Sequence, residues 1–150
     1  MILQALTIDN EDVAAVELHL AILEIPKPEL SYEERRAYLA GCVIPEIAMN
    51  GFDSLCYQLL TKNDCLELRD YLLELGLNHT AELFQEAFLI YVRGSLDLTE
   101  DEYQVLDPFG EGAEWDRFDA ISKEMWRAAL PIDGAVLERF KAQVKNLYLP

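Results

Sequence analysis

The chain has 150 residues, is 51% hydrophobic, and carries 28 Asp and Glu against 12 Lys and Arg, a formal net charge of −16. That length suits one sizeable core and one domain, and the apolar fraction is too high for a disordered acidic tail. Duplex DNA carries one negative charge per roughly 1.7 Å of axis, so a body of this charge is repelled by nucleic acid, and equally by anionic membranes, unless a basic patch intervenes.

No basic patch is visible. The cations occur singly apart from Arg35-Arg36, and the first, Lys27, follows Asp9, Glu11, Asp12, Glu17 and Glu24. Three cysteines, Cys42, Cys56 and Cys65, lie among apolar neighbours without CxxC spacing, which predicts buried free thiols in a reducing compartment. The start, MILQALTIDN, lacks a cationic n-region, and the longest apolar stretches, Leu39–Pro45 and Ala87–Val92, fall far short of the roughly 20 residues that span a bilayer. A cytoplasmic protein is expected.

In chain order, Asn10 reads as the N-cap of a helix near 11–24, in which Val13, Val16, Leu20 and Leu23 recur at helical spacing. Pro26 and Pro28 stop it. Ser31-Tyr-Glu-Glu34 is a capping box and opens a second helix, which must break or kink near Pro45 before a short continuation, Glu46 to Asn50, closed by Gly51. Phe52, Leu55, Cys56, Leu59 and Leu60 form a core-facing stripe. Asp64 is placed as the cap of the next helix, with Leu68, Tyr71, Leu72 and Leu75 apolar and Gly76 ending it in a Schellman turn with Leu77. Asn78 is read as the following cap, before Leu83, Phe84, Ala87, Phe88, Ile90 and Tyr91. No segment shows the period-two alternation of strands, so the helix-glycine-helix rhythm predicts an α-hairpin.

Between Asp97 and Asp119 the character changes. Nine carboxylates (Asp97, Glu100, Asp101, Glu102, Asp107, Glu111, Glu114, Asp116, Asp119) face a single cation, Arg117. Thr99-x-x-Glu102 is a capping box for a short helix ending near Leu106, and Asp107-Pro108-Phe109-Gly110-Glu111-Gly112 is loop chemistry. Trp115, Phe118, Ile121, Met125 and Trp126 restore helical periodicity. After Pro131, Asp133 is expected to cap a last helix with Val136, Phe140, Val144 and Leu147 inward, and Leu147 to Pro150 to pack down. The expectation is an all-α fold: a single compact domain of about seven to nine helices, built as α-hairpins around one core.

Chemistry-bearing motifs are sparse. His19 and His79 are far apart and belong to no HExxH, ExxH or His/Cys cluster, so no metal is expected, and both read as ordinary surface or cap-adjacent histidines. An EF-hand starting at Asp107 fails, because Phe118 stands where its bidentate Glu belongs. There is no GxGxxG, GxxxxGK[ST] or GxSxG, so no cofactor and no enzyme activity are expected. Paired carboxylates for acid–base work carry little signal, since with 28 acids some pair always lies close. The acidic stretch itself has a plain reading, a solvated face that keeps the protein soluble. Its sharper reading is a carboxylate array that imitates phosphates, because carboxylates offer Arg and Lys the same anionic acceptor oxygens.

The middle of the chain carries a resemblance. Glu46-Ile-Ala-Met-Asn-Gly51-Phe52-Asp-Ser-Leu-Cys-Tyr57, then Leu68-Arg-Asp-Tyr-Leu-Leu-Glu-Leu-Gly76 and Thr80-Ala81-Glu-Leu-Phe-Gln-Glu-Ala87, resembles the family that includes the bacterial DNA-mimic protein, over roughly residues 33 to 149. Where that family has Asn-Gly-Gly-Phe, this chain has Met49-Asn50-Gly51-Phe52, and Gln58 replaces a second frequent Asn. Gly51 fits a bend needing positive φ, and Phe52 and Tyr57 fit core packing. The resemblance implies an all-α fold and, for its best-known member, a dimeric mimic that occupies a transcription factor's DNA-binding surface. It therefore makes a basic DNA-binding protein such as a transcription factor the expected partner and a homodimer possible. The expected contact residues are the nine carboxylates of 97–119 with Glu11, Asp12 and Glu17 of the first helix. The competing expectations are a generic helical interaction module whose acids serve solubility, and an uncharacterised enzyme.

Overall fold

Every regular segment of the computed structural model is helical, across the described residues 1–108 and 110–149. Phe109 of the acidic loop and Pro150 of the C-terminal segment lie outside the described residues. In chain order the helices are α1 (Ile2–Ala5), α2 (Glu11–Leu23), α3 (Tyr32–Gly41), α4 (Val43–Asn50), α5 (Phe52–Ser54), α6 (Lys62–Glu74), α7 (Asn78–Tyr91), α8 (Glu100–Gln104), α9 (Ala113–Ala128) and α10 (Ile132–Arg139). Single 3₁₀ turns occur at Lys27–Glu29 and Lys145–Tyr148, and π turns at Leu55–Leu59 and Phe140–Val144. Among the described residues, no helix is long and apolar enough to cross a membrane. The chain divides into two compact units, Met1–Cys42 with Pro131–Pro150, and Val43–Leu130.

In the first unit, the Asn10 side chain accepts from the Val13 amide at 3.1 Å and starts α2, as its sequence position predicts. Ser31 and Glu34 complete the capping box of α3. Glu34 also accepts from the Tyr148 hydroxyl at 2.7 Å, while Glu33 pairs with Arg139 at 3.0 Å, so carboxylates of α3 tie down the C-terminal segment. Leu18, Ile22, Ala37, Ala40, Ile132, Val136 and Phe140 fill the core where α2, α3 and α10 meet.

The structure sets the orientation of the α2 stripe and corrects two expectations for this unit. Val13, Val16, Leu20 and Leu23 recur at helical spacing but point outward, and α2 buries Ala14, Leu18, Ala21 and Ile22 instead. Asp133 does not cap α10: Pro131 holds the N-cap position and Asp133 lies inside the first turn. Leu147 is 72% exposed although Val136, Phe140 and Val144 are buried, because the chain leaves α-helical spacing at the π turn and the inward register is lost.

His19 is half-buried, its ring lying so close to Gly41 that a Cβ there would collide with it. Burial holds its pKa below the ordinary value of 6.5, partly offset by the facing carboxylate of Asp133. The unfolded chain therefore takes up a proton near pH 6.5 that the folded chain resists, so stability is lost on acidification through that value. Burial raises the Asp133 pKa, which works in the opposite direction and at lower pH. We expect the melting temperature to fall from pH 7 to about pH 5, and His19→Gln to flatten the part of that fall lying nearest neutrality. An unchanged profile in His19→Gln would contradict the assignment.

The break expected near Pro45 falls at Cys42, and the second unit begins with α4. Pro45 then sits in the first turn of α4, where its missing N–H has no intrahelical partner to lose. Gly51 has φ +89°, the left-handed bend its place before Phe52 predicts, and lets α5 start at a new angle. Phe52, Leu55, Cys56 and Leu60 are buried, but Tyr57 is 47% exposed, contrary to its expected core role. The π turn there inserts an extra residue per turn and rotates Tyr57 off the inward face.

The α6 cap is Thr61, with Asp64 as the reciprocal partner at the third helical position, and the α7 cap is Leu77 rather than Asn78. In the first case a capping box was present three residues upstream of the acid taken as the cap. At the end of α6, the Leu77 amide donates to the Leu72 carbonyl and the Gly76 amide to the Leu73 carbonyl, each at 3.0 Å, the expected Schellman pattern. Helix α7 packs against α6 and α9, with Leu68, Tyr71, Phe84, Ala87, Phe118, Ile121 and Met125 in the core. The buried Tyr103 anchors α8 by donating to the Cys56 carbonyl at 2.6 Å. Cys56 and Cys65 are buried and Cys42 is half-buried, all as free thiols. A hydrogen bond with Cys65 and burial push the Cys56 pKa up, and burial pushes the Tyr91 phenol up to about 12.

Candidate functional site

Acids gather where helices begin, because an N-terminus offers unpaired amides and a partial positive charge. In the second unit Glu100, Asp101 and Glu102 occupy the first turn of α8, and Glu114 and Asp116 that of α9, with Asp119 one turn further on. Asp97 precedes α8, and Asp107 and Glu111 lie in the α8–α9 connection. Beyond Asp119 the charges of α9 are mixed, with Lys123, Glu124 and Arg127 toward its opposite end. In the first unit Glu11 and Asp12 stand in the first turn of α2 and Glu17 further along it. All twelve are exposed except Glu100, which is half-buried. The nine and the three belong to different units.

The twelve are not equivalent. Glu100 is occupied structurally, accepting from the Lys62 and Asn63 amides at 3.3 and 3.1 Å and thereby capping α6, while Lys62 Nζ donates to the Leu98 carbonyl at 2.7 Å. Glu102 accepts from the Thr99 amide at 3.1 Å to close the α8 capping box. Among the described residues, no side-chain hydrogen bond or ion pair engages Asp97, Asp101, Glu111, Asp116 or Asp119. These five carboxylates are presented to solvent.

Arg117, the single cation of the stretch, turns away from it. Its guanidinium grips Glu86 on α7 with two bonds of 2.8 and 3.0 Å and lies 3.9 Å from Glu124. The bond to Arg117 lowers the Glu86 pKa. The fork thus fixes α9 to α7 without neutralising the nine acids. Beside it, Glu86, Leu89, Ile90, Arg93, Glu114 and Arg117 border an open groove of about 490 Å³.

Sequence reasoning missed Arg93, which organises the acidic connection. Arg93 has φ +54°, and with Gly94 it closes α7 through bonds from the Arg93 amide to the Ile90 carbonyl and from the Gly94 amide to the Leu89 carbonyl. An arginine thus occupies the left-handed position that glycine normally fills, at a cost of about 1 kcal/mol. Its side chain supplies the compensation. It donates to the Tyr91 and Asp107 carbonyls at 2.7 Å each and stacks over Trp115 at 5.1 Å. The visible signal was Gly94, itself left-handed at φ +75°, and the sequence did not show that the arginine before it shares that conformation. Arg93→Ala keeps the strained backbone and loses every side-chain contact, so it should destabilise by about 2 kcal/mol, with Arg93→Gly about 1 kcal/mol less damaging. Urea denaturation of both variants checks the order, and Ala milder than Gly would contradict it.

These observations define a class: an all-helical acidic protein that displays carboxylates from helix N-termini and a pinned connection. Within that class, a family profile described as DMP19-like protein matches residues 28–145, and the chain belongs to that family. Helix α2 lies before the matched region. Comparison with curated proteins and with solved structures gives no match.

Proposed function

We propose that the protein acts without catalysis as a DNA mimic or charge-complementary inhibitor, its carboxylates taking the place of phosphates on a basic DNA-binding protein such as a transcription factor. The observation that carries this reading is the set of five carboxylates at 97, 101, 111, 116 and 119, exposed and, among the described residues, without side-chain partners while Arg117 is committed to Glu86. A carboxylate built only to stabilise the fold would resemble Glu100 or Glu102, bonded to backbone amides. Membership of the DMP19-like family, a family of DNA-mimic proteins, supports the same reading.

Binding of this kind is steered by charge and screened by salt, with a Debye length of about 8 Å at physiological ionic strength. The tagged protein should retain a basic DNA-binding protein from lysate at about 50 mM salt and release it at about 500 mM. If no basic protein is retained at low salt, the reading fails. The alternative of a helical module that binds through an apolar surface is favoured by one observation, the outward apolar face of α2.

A further inference from the structure

Helix α2 is apolar on two opposite sides. Ala14, Leu18, Ala21 and Ile22 are buried in its unit, while Val13, Val16, Leu20 and Leu23 form a second stripe, each between 45% and 56% exposed. A helix apolar all round is ordinarily a buried helix. The stripe follows i, i+3, i+7 and i+10 spacing and runs about 15 Å along the axis. Beside it, α1 and α2 enclose a groove of about 390 Å³, with Ala5, Ile8, Leu20 and Ala21 among its walls and the carboxylates of Glu17 and Glu24 at its rim. At 100° per residue, Glu17 and Glu24 border the stripe on one side and Asp12 on the other. Residues 1–26 hold five carboxylates and no Lys or Arg.

We propose that this stripe and groove seat an amphipathic cationic helix of a partner protein, its apolar face on Val13, Val16, Leu20 and Leu23 and its Lys or Arg side chains on Glu17, Glu24 and Asp12. Charge complementarity selects this occupant. A second copy of the chain, packed through the same face, would set Asp12, Glu17 and Glu24 against their own counterparts across the dimer axis. An anionic membrane surface would meet the same repulsion. A straight stripe bordered on both sides by acids fits a helix laid along it, with apolar anchors at helical spacing and cations flanking them. The surface lies outside the region matched by the family profile and does not depend on the partner being a DNA-binding protein. Phosphate mimicry needs no apolar strip.

The test is fluorescence anisotropy on the full chain with a labelled helical peptide of about 14 residues, made of Leu and Lys with Leu at i, i+3, i+4 and i+7. A scrambled peptide of the same composition and a Leu/Glu peptide of the same pattern serve as controls. The patterned Leu/Lys peptide should bind and both controls should bind at least about tenfold more weakly. Val16→Ser with Leu20→Ser should weaken binding about tenfold or more without changing the melting temperature appreciably, because both side chains point outward. Glu17→Gln with Glu24→Gln should weaken it several-fold and flatten its salt dependence. Asp116→Asn with Asp119→Asn should leave it unchanged, which separates this surface from the carboxylates of the mimicry reading. Absence of peptide binding, equal binding of the scrambled peptide, or indifference to the Val16/Leu20 change would overturn the proposal. So would a dimer in sedimentation that the same change dissociates, since the stripe would then belong to a second copy.

Discussion

Phe52→Ala is expected to destabilise the protein by about 3–5 kcal/mol, lowering its melting temperature by roughly 10 °C or more. Phe52 is 1% exposed and follows the left-handed Gly51 at the start of α5. Its ring meets Phe84 edge-on at 5.8 Å and Phe118 at 5.7 Å, so it joins the α5 segment to α7 and α9. Truncation removes the transfer free energy of a full aromatic ring, two ring contacts of about 0.5–1.5 kcal/mol each, and leaves a cavity. The neighbouring Tyr57→Ala should cost under about 1 kcal/mol, because that ring is half in solvent. Urea unfolding followed by Trp115 and Trp126 fluorescence measures both. A loss below about 1 kcal/mol for Phe52→Ala would mean that the ring is not the keystone its contacts describe.

Neutralising Asp97, Asp101, Glu111, Asp116 and Asp119 to Asn or Gln is expected to act in opposite directions on stability and on binding. The free protein, at a net charge of −16, repels itself, so removing five charges should raise the melting temperature at low salt, by an increment that shrinks as salt is added. Partner affinity should fall. If each exposed charge pair contributes about 0.2–1 kcal/mol, losing five weakens binding by roughly 5-fold to several thousand-fold. A solubility role alone predicts an unchanged affinity and a less soluble protein. Calorimetry of the variant against salt, together with its affinity for the captured partner, separates the two. Unchanged affinity would remove these five residues from the contact surface.

What the sequence disclosed is local. The Asn10 cap, the Ser31–Glu34 and Thr99–Glu102 boxes and the Gly76 Schellman turn each close within five residues, and all are present. The positive φ at Gly51 is likewise a property of one position. Caps went wrong where two neighbours could both serve. Asp64 and Asp133 lie within a turn of the true boundary, and backbone geometry rather than side-chain type decides which residue is the N-cap. The inward face of α2 was undecidable from periodicity, because a helix with two apolar faces satisfies helical spacing in either orientation.

The candidate surface was legible as a list of acids but not as a set of roles. That Glu100 serves α6 depends on a contact across 37 and 38 residues, and that Arg93 holds the Asp107 carbonyl depends on one across 14. Arg117 looked like the one counter-charge of the stretch, and only its reach to Glu86, 31 residues away, shows that it is committed outside the stretch. Sequence counts charges, whereas long-range packing decides which of them remain available to a partner.

The most direct test of the account is competition by duplex DNA. The protein is immobilised with a basic DNA-binding protein retained from lysate at low salt, as the proposal expects, and challenged with that protein's DNA and with a neutral polymer of equal size. The account predicts that the DNA releases the partner in a concentration-dependent manner while the neutral polymer does not, because carboxylates and phosphates then contend for the same cations. A partner that binds DNA while remaining fully attached to this protein would contradict it.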